Sequence, residues 1–210
     1  MRRAVAIFSL VAVSLAGLAT AAAVADSITM RPRATVIRSG EFSVGVLGAI
    51  SSGAEGEYVV VKGKECGIPG AFFRGLGGAT TVAGGTYEAS VLIRTKTTLR
   101  AEWKEAASPT VVVTPRADIR LTREEDGFRV GLSSETHNVD GRRAVIERLS
   151  PAGWKKLQTV VLKADAGYAQ YAEKKKLRFK VPKGTTIRAV LPRSEAGACY
   201  LAGYSKLLRT

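Results

Sequence analysis

The 210-residue chain holds 32 Lys and Arg against 18 Asp and Glu, a formal net charge of +14, with one His and two Cys. A single histidine excludes His-rich metal sites and leaves one imidazole for acid–base work. The basic balance points to polyanions as partners.

Read from the N-terminus, Arg2 and Arg3 precede an apolar run from Ala4 to Leu18 and small residues ending Ala23-Val24-Ala25. That is the pattern of a secretory signal peptide over residues 1–25. An uncleaved anchor is the rival reading, since about twenty apolar residues span a bilayer. The Ala-x-Ala ending favours cleavage, which would leave no transmembrane segment in the mature chain. No Cys follows the small residues, against a lipoprotein anchor. The mature chain would carry 30 basic and 18 acidic residues, net +12, with length for one large domain or two small ones.

Beyond residue 25, apolar residues alternate with period two, predicting an all-β chain of half-buried strands. In order, the expected strands are Thr35–Ile37, Phe42–Leu47, Glu57–Lys62, Thr86–Ile93, Thr97–Trp103 and Thr110–Val113. The glycines of Gly75-Leu76-Gly77-Gly78-Ala79 and Gly84-Gly85 lack the Lys and the helix of a phosphate loop and read as turns. A boundary falls at Thr114-Pro115-Arg116, because Pro cannot donate to a central ladder. The second series is Asp118–Leu121, Phe128–Ser133, Ala144–Leu149, Leu177–Val181, Thr186–Leu191 and Gly203–Leu208. Ala144–Leu149 also forms a hairpin with Trp154–Leu162 across Ser150-Pro151-Ala152-Gly153.

One strand pattern occurs twice. Thr97-Thr98-Leu99-Arg100-Ala101 returns as Thr185-Thr186-Ile187-Arg188-Ala189, each with a Gly (Gly56, Gly141) about forty residues upstream opening an apolar strand. Such recurrence predicts two similar units, 26–114 and 115–210. Alternation places Leu99, Ala101 and Trp103 in one core, Ile187, Ala189 and Leu191 in the other, and Phe128, Val130 and Leu132 beside the latter. Short strands between turn signals predict a β-sandwich in each unit.

The segments Gly141–Ile146, Gly153-Trp154-Lys155, Pro115–Leu121 and the two Thr-Thr-x-Arg-Ala copies resemble tandem bacterial immunoglobulin-like or fibronectin type III-like repeats of exported proteins. The chain departs from antibody-type domains, which hold a Cys…Trp…Cys spacing inside each domain. The resemblance implies two tandem immunoglobulin-like sandwiches with a binding, adhesion or spacer role at the cell surface. It implies no catalytic residues.

Cys66 and Cys199 form an even pair in a chain that reads as exported, which suggests a disulfide. Cys66 follows the third strand of the first unit, at the pole facing its successor. Cys199 lies between the last two strands of the second, at the pole facing back. A bridge would lock the angle between the units; two unpaired thiols are the alternative, and Cα atoms within roughly 7 Å are required for a bridge.

Candidate chemistry is sparse. His137 sits in the polar turn Glu135–Gly141 without a triad-like Ser or Cys and reads as a loop residue. Asp140 with Glu124, Glu125 and Asp126 lacks EF-hand spacing and reads as turn acids rather than a Ca²⁺ site. No metal or cofactor is expected. The remaining hint is the basic second unit, where Lys174, Lys175, Lys176, Arg178 and Lys180 are candidate polyanion contacts, with Lys155, Lys156, Lys163, Lys183, Arg188, Arg193, Tyr168 and Tyr171 nearby. Soluble surface lysines that blunt edge strands are the plain alternative.

The sequence thus reads as an exported, non-enzymatic module whose partner is an envelope polymer or a surface protein, with nucleic acid further down the list. The rival is a secreted hydrolase of envelope carbohydrate or peptide using a carboxylate pair. A third reading is an accessory module acting through a partner at Lys174–Lys176 or an open strand edge.

Overall fold

The structure, a computed structural model, describes residues 25–38, 40–134, 137–164 and 170–210. Apart from Ala25, the expected signal peptide lies outside the described residues, as do Glu135, Thr136 and Tyr168. The strands of the first half are β1 (Arg31–Pro32), β2 (Val36–Ile37), β3 (Ser43–Ala49), β4 (Tyr58–Glu65), β5 (Arg74–Thr80), β6 (Thr86–Leu92), β7 (Thr97–Trp103), β8 (Ala106–Ala107) and β9 (Val111–Pro115). The second half holds β10 (Asp118–Glu124), β11 (Gly127–Ser133), β12 (Arg143–Ser150), β13 (Gly153–Val161), β14 (Lys163–Ala164), β15 (Tyr171–Leu177), β16 (Thr186–Leu191), β17 (Gly203–Tyr204) and β18 (Leu208–Arg209), with one short helix, α1 (Arg193–Ala196).

Alternation decides which faces meet. The sheet β1-β3-β6 turns Val44, Val46, Tyr87, Ala89 and Val91 inward against Val59, Val61, Leu99, Ala101, Trp103 and Val113 of the sheet β2-β9-β7-β4-β5. Further along, β10-β11-β15-β14 packs Ile119, Leu121, Val130, Leu132, Ala172 and Leu177 against Ala144, Ile146, Val160, Ile187, Ala189 and Leu191 of β13-β12-β16-β17. The result is an all-β, sandwich-like molecule with two hydrophobic cores. The recurring strands are β7 and β16, and both carry the expected inward rows, each residue at most 2% exposed. Their registers match too: Ala101 lies opposite Val61, and Ala189 opposite Ile146.

Three expectations on strand placement are corrected. Gly75 to Ala79 are not a turn but part of β5. A Cβ on Gly78 would lie 2.5 Å from the Tyr58 hydroxyl, and one on Gly77 2.9 Å from the Ser90 carbonyl oxygen, so these glycines admit close packing of a strand. Leu177–Val181 is not a strand; β15 ends at Leu177. The apolar alternation there has a different cause: Phe179 stacks on Phe128, centroids 4.6 Å apart. Gly203–Leu208 is split into β17 and β18, because the Ser205 hydroxyl is turned onto the backbone of its own segment, donating to the Lys206 carbonyl at 2.8 Å. Gly84 and Gly85 do form a turn, with φ of 80° and 69°.

The junction is covalent. Cys66 and Cys199 form a disulfide with Cα atoms 5.6 Å apart, 133 residues apart in sequence. The Lys96 N–H donates to the Cys199 carbonyl (2.9 Å) and the Cys66 N–H to the Lys96 carbonyl (2.8 Å). Nearby, the Leu201 N–H donates to the Pro115 carbonyl (2.9 Å) and the Ala117 N–H to the Leu201 carbonyl (3.0 Å). Cys66, although it follows β4 of the first core, packs against the second.

Candidate anion-binding surface

Charge is unevenly divided. Residues 26–114 hold 10 basic and 8 acidic residues, whereas 115–210 hold 20 and 10, a net of +10. Among the described residues no group of three or more His, Cys, Asp or Glu is close enough to hold a metal ion. Asp126 and Asp140 lie beyond opposite ends of β11 and cannot share one.

The lysine run lies on β15, not beside a later strand. Three consecutive lysines in a regular strand would aim one side chain at the core. A bulge limits this to Lys174, which stands opposite the buried Val130 yet is exposed: Phe128 faces Leu177, so β15 has one residue more than β11, Leu177 returns to the core and Lys176 takes φ of 55°. Lys174, Lys175 and Lys176 are all exposed, as are Arg178 and Lys180.

Acids temper much of this cluster. Lys175 pairs with Glu173 (2.6 Å), which Arg129 also approaches (3.7 Å). Lys176 pairs with the Asp126 carboxylate (3.7 Å), and Arg178 Nε donates to the Asp126 carbonyl (3.3 Å). Burial alone would raise the Glu173 carboxyl; hydrogen bonds from Lys175 and from Tyr171 (2.8 Å), with the charges of Lys175 and Arg129, outweigh it and hold the carboxyl below its ordinary value. The same setting, burial first and Glu173 second, pushes the Tyr171 phenol up. Lys174 and Lys180 form no ion pair among the described residues.

The ring contacts of a second set of cations, Arg188 of the basic second unit among them, were not read in the sequence. Across the outer face of the other sheet, Arg188 lies over the Trp154 ring at 3.9 Å and the Tyr204 ring at 4.9 Å, and Arg116 lies over Tyr204 at 5.4 Å. Glu147 binds Arg188 at 2.8 Å. The equivalent Arg100 lies over Phe73 at 4.2 Å and pairs with Glu102 at 2.6 Å. The arginine of each Thr-Thr-x-Arg-Ala copy therefore lies over an aromatic ring at the end of the hairpin that pairs with its strand, Phe73 before β5 and Trp154 at the start of β13. An arginine recurring outward, with an aromatic at the turn of the preceding hairpin, was the available signal.

The hydrolase reading needs a carboxylate pair at work. Glu88 is bound to Arg33, Glu65 to Arg74, Glu124 to Arg129, Asp118 to Arg120 and Glu195 to Arg143. His137 stands edge-on to Tyr200, centroids 5.9 Å apart, and its backbone N–H donates to the Ser134 hydroxyl at 3.1 Å. Among the described residues no helix is long and apolar enough to cross a membrane. Compared with known proteins, the chain matches no family model and no curated protein.

Proposed function

We propose that the chain is an exported, non-enzymatic protein of two tandem immunoglobulin-like β-sandwich domains, 26–114 and 115–210, behind a signal peptide at 1–25. It serves as a binding or spacing module at the cell envelope and meets anionic polymers through its basic second domain. The observation that carries this reading is the net charge of +10 on one half of a molecule whose halves are stapled by Cys66–Cys199. A disulfide is compatible with an oxidising, extracytoplasmic compartment. The parallel pairing of β2 with β9 beside otherwise antiparallel sheets, and the shared partner order β5-β4-β7-β9 and β13-β12-β16-β17, support the immunoglobulin-like assignment.

The test is retention of the purified chain on envelope extract across a salt series. Binding at low salt and release as salt rises is expected, because contacts with polyanions release counterions. Replacing Lys174, Lys175, Lys176, Arg178 and Lys180 together by Gln should lower the salt at which release occurs. Absence of binding at every salt concentration overturns the polyanion reading.

A further inference from the structure

Two cations lie face to face at the open end of the second core. Arg148 of β12 is directly opposite Lys155 of β13 on one side and Ile187 of β16 on the other. Directly opposed residues share a face of a sheet. Ile187 is fully buried, so Arg148, itself half-buried, occupies the core-facing row. Its Nε is sealed from solvent and has no hydrogen-bond partner. Neither Arg148 nor Lys155 forms an ion pair among the described residues.

Nothing in the fold requires this pair. The register-equivalent position in the first core is Gly63, opposite Leu99, where Leu76 and the Thr97 methyl fill the space that a side chain would take. Two other arginines, Arg100 and Arg129, also have an orphaned Nε, but each has terminal nitrogens on a carboxylate. Arg148 alone of the three has none. Guanidinium does not lose its proton in proteins, and like charges directly opposite destabilise a sheet. An apolar residue would serve stability better at this place.

The surroundings carry charge of both signs, but none of their acids is paired with Arg148 or Lys155. Ile187 is opposite Leu208 on its far strand, and Arg123 donates to the Arg209 carbonyl, which brings the end of β10 to this pole. That end carries Phe128 and Leu177, so Lys176 and Arg178 follow at the same end of the sandwich, together with the turn acids Glu124, Glu125 and Asp126, of which Glu124 is taken by Arg129 and Asp126 by Lys176.

We propose that this pole binds a phosphate group, with Arg148 forming its floor and Lys155 its rim. The planar fork of an arginine matches two phosphate oxygens at once. A phosphate monoester carries close to two negative charges near neutral pH, which matches two adjacent cations better than a single carboxylate does. The proposal rests on the reading of the second half as an anion-binding surface, and narrows it to one chemistry and one place.

The test uses the full mature chain, titrated with inorganic phosphate at constant ionic strength and followed by calorimetry and thermal melting. Arg148→Met keeps the apolar stem and removes the fork; Lys155→Met does the same for the rim. Arg148→Met should weaken phosphate binding at least tenfold and abolish the phosphate-induced rise in Tm, while melting no lower than the parent without phosphate. Arg148→Lys should restore only part of the affinity. Equal phosphate binding by parent and Arg148→Met overturns the site, as does a lower Tm of Arg148→Met in phosphate-free buffer, which would mark a structural arginine. Polygalacturonate, a carboxylate polymer, provides the second arm. If it is retained by parent and Arg148→Met alike while phosphate binds to neither, the basic-surface reading stands and the phosphate site falls. If neither probe binds the parent, both fall.

Discussion

Ser205 serves Ala189 as Ser108 serves Ala101. Each hydroxyl accepts the N–H of the alanine in a Thr-Thr-x-Arg-Ala strand at 2.9 Å, and each serine N–H donates to the carbonyl of the same alanine at 2.9 Å. Each hydroxyl also donates to a carbonyl next to it in sequence, Pro109 at 2.9 Å and Lys206 at 2.8 Å. Both serines are buried, at 6% and 7% exposure. Ser108→Ala and Ser205→Ala each leave a buried N–H without an acceptor, so each should cost about 1–3 kcal/mol. Urea unfolding of the two single variants should give similar losses; a loss at one site alone would break the equivalence.

That relationship was hidden in the sequence. The strand itself was legible, because period-two alternation survives in a strand buried on one face, and Leu99, Ala101 and Trp103 lie where the pattern puts them. The serine was not legible, because it follows Ala101 by 7 residues and Ala189 by 16, the difference being the segment that carries α1 and Cys199. The lysine run read as an exposed basic patch, and its side chains are exposed. Of the acids that temper it, Glu173 lies two residues before Lys175 on the same strand face and was there to be read, whereas Asp126 was invisible as a partner because the β10–β11 turn and the bulge at Lys176 bring it there. Arg148 was missed although the period-two row Ala144, Ile146, Arg148 runs unbroken along β12; a charged residue ending such a row reads as the strand's exit to solvent, and the bulge on β13 hides that Lys155 stands opposite it.

Removing the Cys66–Cys199 bridge should be costly. The loop it closes spans 133 residues, for which the chain-entropy model gives about 5 kcal/mol. Cys66→Ser with Cys199→Ser should therefore lower the urea midpoint strongly. The two cores should also begin to unfold in separate transitions, since few backbone hydrogen bonds join the units, among them those from Lys96 to Cys199 and from Arg116 to Ile37. A single transition at an unchanged midpoint would show that the bridge adds nothing beyond those contacts.

Tyr87 should ionise well above the ordinary range of a tyrosine. Burial pushes its phenol up to about 12, and its hydroxyl donates to the Thr29 carbonyl at 2.7 Å. Gly48 admits that ring; a Cβ there would lie 2.5 Å from the hydroxyl. The folded state holds the proton more tightly than the unfolded chain, whose tyrosine ionises near 10. Its contribution to stability is thus full below pH about 10 and is lost as pH climbs toward about 12. Ultraviolet titration of the phenolate band should show a step near pH 12 that Tyr87→Phe removes. A titration complete by pH 11 would contradict it.

Glu173 couples stability to the basic surface in opposite directions. Its carboxyl is held below its ordinary value, so the folded state favours the carboxylate. The resulting stabilisation is present above the unfolded carboxylate's value, about 4.3, and is lost as pH falls through the lower folded value. Glu173→Gln should therefore flatten the acid limb of the stability profile while reducing stability modestly near neutral pH. The same change leaves Lys175 without its carboxylate and Arg129 with Glu124 alone. One negative charge fewer on this face should raise the salt needed to release the protein from an anionic polymer, because more of the cations condensed on the polymer are displaced on binding. Parallel melting curves and salt-release profiles separate the two effects. If Glu173→Gln weakens retention as well as stability, the lysines act through their ordered geometry around the carboxylate, and net charge is the wrong description of the surface.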